Sequence, residues 1–207
     1  MTLRCQAMDS HPKDHVSFGS THGHPMINDN MNDWGTEYKW SDPNGIEQTQ
    51  MLWPDHCVWK SDGWNNPDSL ELGANDHWVF KGTDVLRDSY SAFFDNDQTS
   101  ETKLHAHLQS KGIKDLIIVG LVFDVCVKFT ALDAIKKGYR VYIASDATVA
   151  FGDWDKAADE LKEEGVRMGT VQKYLSNPAG SFNCPETNAD SFGELHCKVL
   201  LMVRFVC

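Results

Sequence analysis

The side chains best suited to chemistry in this chain include a cysteine placed between two regular elements. Cys126 lies in the string GLVFDVCVKFTALDA, after an apolar run that predicts a buried strand and before a segment with helical periodicity. In open parallel sheets, ligands bind at the carboxyl ends of strands. The partial positive charge of a helix N-terminus also favours a thiolate. Cys126 is therefore a candidate nucleophile, and a buried structural cysteine is the alternative.

One carboxylate and two imidazoles could form a metal site. Asp9 and His11, in MDSHPKDHVSF, would point to the same side of an extended segment. His56 lies in WPDHCV, where the neighbouring proline and tryptophan favour a fixed turn. Three such ligands would leave positions open on zinc, as in a catalytic site. Chance pairing is the alternative: His22 and His24 form a similar pair, which we interpret as loop residues.

A lysine stands at the end of a short predicted strand. Lys81 closes the string WVFK and precedes Gly82. A lysine at a strand end is usually just solvated. It would matter for catalysis only near Cys126, where its charge would hold the thiolate.

The second half of the chain has the rhythm of an α/β protein. We predict strands at residues 115–122, 140–144 and 166–171, and helices at residues 128–137 and 153–164. Elements alternating at this spacing imply right-handed crossovers and a parallel sheet.

The first half and the two ends are less regular. We predict a strand at residues 78–81, a helix at residues 102–111 and at best one short strand at residues 3–8. Residues 19–76 are rich in Gly, Asn, Asp, Pro and Trp and predict a long ordered loop region. The apolar run at residues 198–206 is strand-like. We expect it to be a tail on the surface, and the alternative is that it fills a central position of the sheet.

Composition limits the classes of partner. The chain has 207 residues, which suits one domain, and its net charge of −11 argues against nucleic acid and anionic membrane. No apolar run can span a bilayer, and residues 1–9 hold no signal-peptide core. Six cysteines without a CxxC pair indicate reduced thiols. We therefore expect an intracellular, cytoplasmic protein, and a homo-oligomer is left open.

Five segments resemble, in order and spacing, motifs of nicotinamidases of the isochorismatase-like cysteine hydrolase superfamily. DSHP is similar to the D-W-H-P metal motif, with Ser10 in place of the tryptophan. WPDHCV is similar to W-P-x-H-C, and FKGTD with DSYSAFFDN to the lysine segment. GLVFDVCVKFTALDA resembles the nucleophile motif, and SDATVAF the strand end that follows. The resemblance covers roughly residues 3–176.

The resemblance implies a fold and a set of ligands. The fold is a three-layer, Rossmann-like isochorismatase-type α/β fold with a mainly parallel sheet, formed by residues 1–176, and residues 177–207 are a tail outside the family pattern. Cys126 would be the nucleophile, and Lys81 would support its thiolate. Asp9, His11 and His56 would hold Zn²⁺ or another divalent metal, to which the pyridine nitrogen of nicotinamide binds.

The resemblance also implies a ring pocket and an oxyanion hole. Trp53, Phe18 and Tyr90 would form the walls of the pocket. The backbone N–H groups of Phe123 and Cys126 would form the oxyanion hole, next to a cis peptide expected between Val122 and Phe123. The implied reaction is hydrolysis of nicotinamide to nicotinate and ammonia through a cysteine thioester.

One departure from the family pattern concerns the general base. The family carries an aspartate on a first strand, a few tens of residues before the metal motif, whereas eight residues precede Asp9 here. We therefore expect the first strand to be missing and the chain to be a poor or inactive nicotinamidase. A nicotinamide-binding pseudoenzyme and an impaired isoform are the alternatives. If residues 198–206 filled the central position, Arg204 would fall near the place of that aspartate.

Overall fold

Among the residues that the structure describes, the main regular elements are eight strands and four α-helices. The computed structural model describes residues 2–24, 34–178, 181 and 198–204. The strands are β1 (Thr2–Asp9), β2 (Thr36–Ser41), β3 (Glu47–Leu52), β4 (His77–Lys81), β5 (Asp115–Leu121), β6 (Arg140–Val149), β7 (Arg167–Gly169) and β8 (Lys198–Arg204). The helices are α1 (Leu104–Ser110), α2 (Lys128–Lys136), α3 (Trp154–Glu163) and α4 (Val171–Ser176).

The strands form one large sheet and one hairpin. Six strands pair in the order β4-β1-β8-β5-β6-β7, and all of these pairs are parallel. The antiparallel hairpin β2–β3 stands apart from this sheet. Because the strands of the large sheet run in one direction, their carboxyl ends meet at a single edge.

Strand β5 explains why the sheet is covered on both faces. Leu116 and Ile118 belong to the larger core cluster, which includes residues of α1, α2 and α3. Ile117 and Val119 belong to a second cluster, against which Tyr174 of α4 packs. Side chains alternate between the faces of a strand, so a continuous apolar run serves both clusters. The predicted three-layer α/β fold is confirmed.

Most of the predicted elements lie within a few residues of their observed bounds. Asp153 caps α3 as predicted, since its carboxylate accepts the N–H of Lys156. The hairpin β2–β3 lies inside the region that was predicted to be a loop. The prediction missed its two strands because they are polar and mostly exposed, so their sequence shows no apolar alternation. The string DPNG was the available signal: Asp42 accepts the N–H of Asn44, and Gly45 has φ +80°.

Strand β8 occupies an interior position of the sheet. It pairs with Thr2–Met8 on one side and with Asp115–Gly120 on the other. The prediction that the run is strand-like is confirmed for residues 198–204, whereas residues 205 and 206 lie outside the described residues. The expectation of a surface tail is wrong for residues 198–204, and the alternative, a strand at the position that we expected to be empty, is observed. An apolar, β-branched run suits a strand with neighbours on both sides. The proposed division of the chain at residue 176 stays a prediction.

Two expectations from the sequence concerned reduced cysteines and the absence of a membrane-spanning segment. Cys5, Cys57 and Cys126 have free thiols. Within the described ranges, the helices are too short or too polar to cross a lipid bilayer.

Ending the chain after Cys197 should abolish cooperative folding. The shortened chain lacks β8, so β1 and β5 lose their hydrogen bonds to it. Each backbone hydrogen bond contributes about 0.5–1.5 kcal/mol, and a domain has only about 5–15 kcal/mol in total. Thermal unfolding followed by circular dichroism measures the effect. A chain that ends after Arg204 keeps β8 and is the control; equal transitions in the two chains would contradict the role given to β8.

Candidate active site

Three of the predicted residues meet at the carboxyl edge of the sheet. Asp9 ends β1, Lys81 ends β4, and the two residues are direct partners in the register of these strands. Cys126 lies in the π-helical turn Phe123–Val127, which follows β5 and leads into α2. The parallel topology therefore brings together residues that are far apart in the sequence.

Lys81 is a buried cation with acidic partners. Its Nζ donates hydrogen bonds to Asp9 Oδ1, to the carbonyl oxygen of Ser89 at 2.7 Å and to Cys126 Sγ at 3.5 Å. Its side chain is fully buried. Burial lowers the pKa of Lys81, but Asp9 and Cys126 raise it more, so the net pKa lies above its ordinary value. Lys81 is thus an ammonium ion that contacts both the carboxylate and the thiol.

The environment of Cys126 favours the thiol form. The residue is only 1% exposed, and burial raises the pKa of its thiol to about 12. Lys81 acts against this shift, whereas Asp9 and Asp88 add to it. Ionisation of the thiol therefore depends on the balance between one buried ammonium and nearby carboxylates.

Asp9, His11 and His56 form a cluster with the composition of a zinc site. One ligand atom of each lies within 4.8 Å of the others, and all three residues are buried. His11 Nδ1 donates to the carbonyl oxygen of Gly82 at 2.9 Å, and His56 Nδ1 donates to that of Pro54 at 2.7 Å. In both rings Nε2 is left as the ligand atom, and such backbone contacts typically orient metal-binding histidines.

The protonation of the two histidines also suits a metal. Burial lowers the pKa of His11 and that of His56 below their usual range. Neutral imidazoles are the form that binds metal ions. One carboxylate and two neutral imidazoles therefore fit Zn²⁺, with coordination positions left open.

Glycine is required at position 82. Its φ is +62°, which side chains rarely adopt, and an added Cβ would lie 2.6 Å from His11 Nδ1. The absence of a side chain lets the backbone after Lys81 pass against the ring of His11 and supply the carbonyl that orients it.

His15 is a neighbour that the sequence analysis missed. Its ring lies 4.1 Å from that of His11, and with His11 and Asp88 it forms a second group of buried potential ligands. Its Nε2 donates to the carbonyl oxygen of Arg87 at 3.1 Å, and its Nδ1 lies 2.7 Å from Ser17 Oγ. Its place in the segment DSHPKDH was the signal that could have revealed it. His22 and His24 lie outside both groups and pack on Tyr38.

The three predicted wall residues, Phe18, Trp53 and Tyr90, are linked by one backbone bridge and one side-chain hydrogen bond, and together they are called the aromatic surface. The ring of Phe18 lies 5.6 Å from that of His11 and 5.5 Å from that of His56. Phe18 pairs with Trp53 through an isolated backbone bridge, and Trp53 Nε1 donates to the hydroxyl of Tyr90 at 3.3 Å.

Further aromatic side chains extend this surface. Phe151 contacts Trp53 with ring centroids 6.3 Å apart and Trp34 with centroids 5.5 Å apart. Phe129 packs on Tyr90 at 5.3 Å. None of these three residues was predicted from the sequence: Trp34 and Phe151 lie outside regular elements and carry no periodic signal, and Phe129 lies on an exposed side of α2.

The cis peptide bond lies one residue earlier than predicted. It joins Leu121 to Val122, and not Val122 to Phe123. Phe123 and Cys126, whose N–H groups were predicted to form the oxyanion hole, both lie in the first turn after β5. N–H groups in the first turn of a helix have no partner within the helix and can bind an anion.

Comparison with known proteins identifies similar chains. The sequence profile of the Isochorismatase domain matches residues 23–173. The nicotinamidase of Escherichia coli K12 is 40% identical over 140 residues, which are 68% of this chain and 60% of that protein. The chain thus spans less than two thirds of the length of this relative.

Two solved structures share the fold. A nicotinamidase of Acinetobacter baumannii has a TM-score of 0.69 and 27% identity, covering 84% of this chain and 78% of that one. A pyrazinamidase of Pyrococcus horikoshii, solved in complex with zinc, has a TM-score of 0.60 and 26% identity, covering 81% and 75% respectively.

Replacing the buried lysine should destabilise the chain strongly. Lys81→Met leaves Asp9 buried without its ammonium partner, and breaking a buried ion pair costs about 3–5 kcal/mol. The free energy of unfolding in urea measures this loss. Lys162→Met is the control, because Lys162 pairs with Asp159 on the surface of α3 and should change the value by less than about 0.5 kcal/mol. Equal effects of the two substitutions would contradict the importance of the buried pair.

Proposed function

The chain belongs to the isochorismatase family, and from that premise we propose that it hydrolyses nicotinamide to nicotinate and ammonia. The contact of the Lys81 ammonium with both Asp9 and the Cys126 thiol, next to His11 and His56, is the observation that supports this proposal most. It combines a nucleophile, a charge that favours its ionisation and a ligand set suited to zinc. The similarity to the Escherichia coli nicotinamidase supports the choice of substrate.

The proposed reaction is acyl transfer in two steps. Cys126 Sγ forms a bond to the carboxamide carbon, the C–N bond breaks, and ammonia leaves with the proton given up by the thiol. A water molecule then attacks the thioester, which releases nicotinate and restores the thiol. Lys81 stabilises the thiolate before attack because its Nζ lies 3.5 Å from the sulfur.

The remaining residues of the site orient the substrate. Asp9, His11 and His56 would hold Zn²⁺, which when bound would provide a Lewis-acidic position for the ring nitrogen. Phe18, Trp53 and Tyr90 would line the ring pocket and exclude water. The N–H groups of Phe123 and Cys126 would stabilise the charge that develops on the carboxamide oxygen.

Removing the thiol should abolish turnover without unfolding the chain. Cys126→Ala deletes the nucleophile but leaves the backbone of the turn intact, so release of ammonia from nicotinamide should fall below detection. Cys5→Ala is the matched control, because Cys5 is an equally buried thiol on β1. Retention of the parent's rate in Cys126→Ala would remove Cys126 from the role of nucleophile.

Removing one imidazole should reduce zinc binding. His56→Ala deletes one of the three proposed ligands, so zinc per chain in the purified protein should fall well below one equivalent. Elemental analysis gives this number independently of activity. His105→Ala is the control, because His105 bonds to the hydroxyl of Tyr139 and not to the cluster. Equal zinc contents in parent and His56→Ala would reject the ligand set.

A second candidate function is binding of nicotinamide without turnover. Cys126 is only 1% exposed, and this burial raises the pKa of its thiol. The burial favours the second candidate, because it disfavours the thiolate that the reaction needs. Such a chain, whether a pseudoenzyme or an impaired isoform, would bind nicotinamide and release no ammonia. Measuring ammonia release and nicotinamide binding on the same preparation distinguishes the two candidates.

A further inference from the structure

We propose that Asp124 is a positioning residue that holds Phe151 against the ring pocket, and that Phe151 determines the affinity of the pocket for the substrate ring. The inference rests on the proposed function, since it concerns the pocket assigned there to nicotinamide. It adds one aromatic side chain to the wall of the pocket and gives a role to the carboxylate that precedes the nucleophile by two residues.

Asp124 joins the nucleophile turn to the loop between β6 and α3. Its Oδ1 accepts the N–H of Phe151 at 3.0 Å, and its Oδ2 accepts the N–H of Gly152 at 2.8 Å. Each oxygen of the carboxylate thus binds one of two consecutive amides. A Cβ at position 152 would lie 3.1 Å from Oδ2, so the glycine permits the close approach. Bonds to a charged acceptor are stronger than bonds between neutral groups.

Phe151 places its ring beside Trp53, one of the three residues of the aromatic surface. Its centroid lies 6.3 Å from that of Trp53 with the planes inclined by 31°, and 5.5 Å from that of Trp34 with the planes nearly perpendicular. These distances lie in the range of favourable aromatic pairs. The side chain is 38% exposed, so it contacts the wall on one side and solvent on the other.

The loop that carries Phe151 is short and fixed at both ends. Strand β6 ends at Val149, and Asp153 caps α3. Between these points the two bonds from Asp124 hold the backbone of residues 151 and 152. A change at Asp124 therefore moves the ring of Phe151 without removing any aromatic atom.

The test compares Asp124→Asn, Phe151→Ala and the double variant with the parent. An asparagine of the same shape keeps one oxygen acceptor but directs an NH2 group at the second backbone N–H, so one bond is lost. Asp146→Asn is the matched control, because Asp146 Oδ1 also accepts a backbone N–H, that of Val171 at 2.8 Å. Two measurements are made on each protein: KM and kcat for ammonia release, and the Kd for nicotinamide from quenching of tryptophan fluorescence.

We expect Kd and KM to rise about threefold to tenfold in Asp124→Asn and in Phe151→Ala, the size of one aromatic contact, with kcat within about twofold of the parent. The double variant should equal Phe151→Ala, since Asp124 acts through that ring. Phe151→Leu should recover part of the affinity, and Asp146→Asn should match the parent.

Three results would overturn the inference. One is an unchanged Kd in Asp124→Asn or in Phe151→Ala. Another is a double variant in which the two effects multiply. The third is a loss confined to kcat, which would assign Asp124 to the nucleophile turn alone. If the parent binds nicotinamide but releases no ammonia, the proposed function fails while the Kd series still decides the inference.

Discussion

The buried ammonium of Lys81 is the interaction on which the arrangement of the site depends. A lysine removed from water is costly unless acidic partners surround it, and here Asp9 and Cys126 supply that compensation. The same contacts serve chemistry, because the Lys81 ammonium that Asp9 stabilises in the core is the charge that favours the thiolate. The carboxylate of Asp9 is shared between this pair and the histidine cluster, so stability and the proposed metal binding involve the same side chain.

The contacts of Lys81 with Asp9 and Cys126 require that strands β1, β4 and β5 end at the same edge of the sheet. Asp9 and Lys81 are register partners on β1 and β4, whereas Cys126 follows β5, and β8 separates β1 from β5. The interior strand therefore sets the distance between the two halves of the site. A chain with β1 and β5 as direct neighbours would bring Cys126 about one strand spacing, roughly 4.8 Å, closer to Asp9, which would require a different set of contacts. Strand β8 thus contributes to the site by spacing β1 and β5, which respectively carry Asp9 and precede Cys126.

The sequence predicted this arrangement best where local pattern and tertiary structure agree. Strand β5 was recognisable as a continuous apolar run and helix α2 by its helical periodicity, and their order fixed the position of Cys126. The interior position of β8 was foreseen only as the alternative, because the apolar, β-branched run at residues 198–204 indicates a strand but its distance in sequence from residues 2–8 gives no signal for the pairing. The contacts of Phe151 and Trp34 were missed for a similar reason, since they arise only when separate loops fold onto one wall.

Burial acts in two opposite directions at this site. It strengthens each charge contact of Lys81, because the effective dielectric constant is lower than in water. It also raises the pKa of Cys126 to about 12, because a thiolate in the same surroundings loses its hydration. A buried site stabilises an ionised group only when groups of opposite charge lie beside it. At Cys126 the carboxylates of Asp9 and Asp88 both act against the thiolate, and only Lys81 favours it among these three residues. A divalent cation on Asp9, His11 and His56 would offset the first of these carboxylates, so the ligand cluster and the nucleophile form one electrostatic unit.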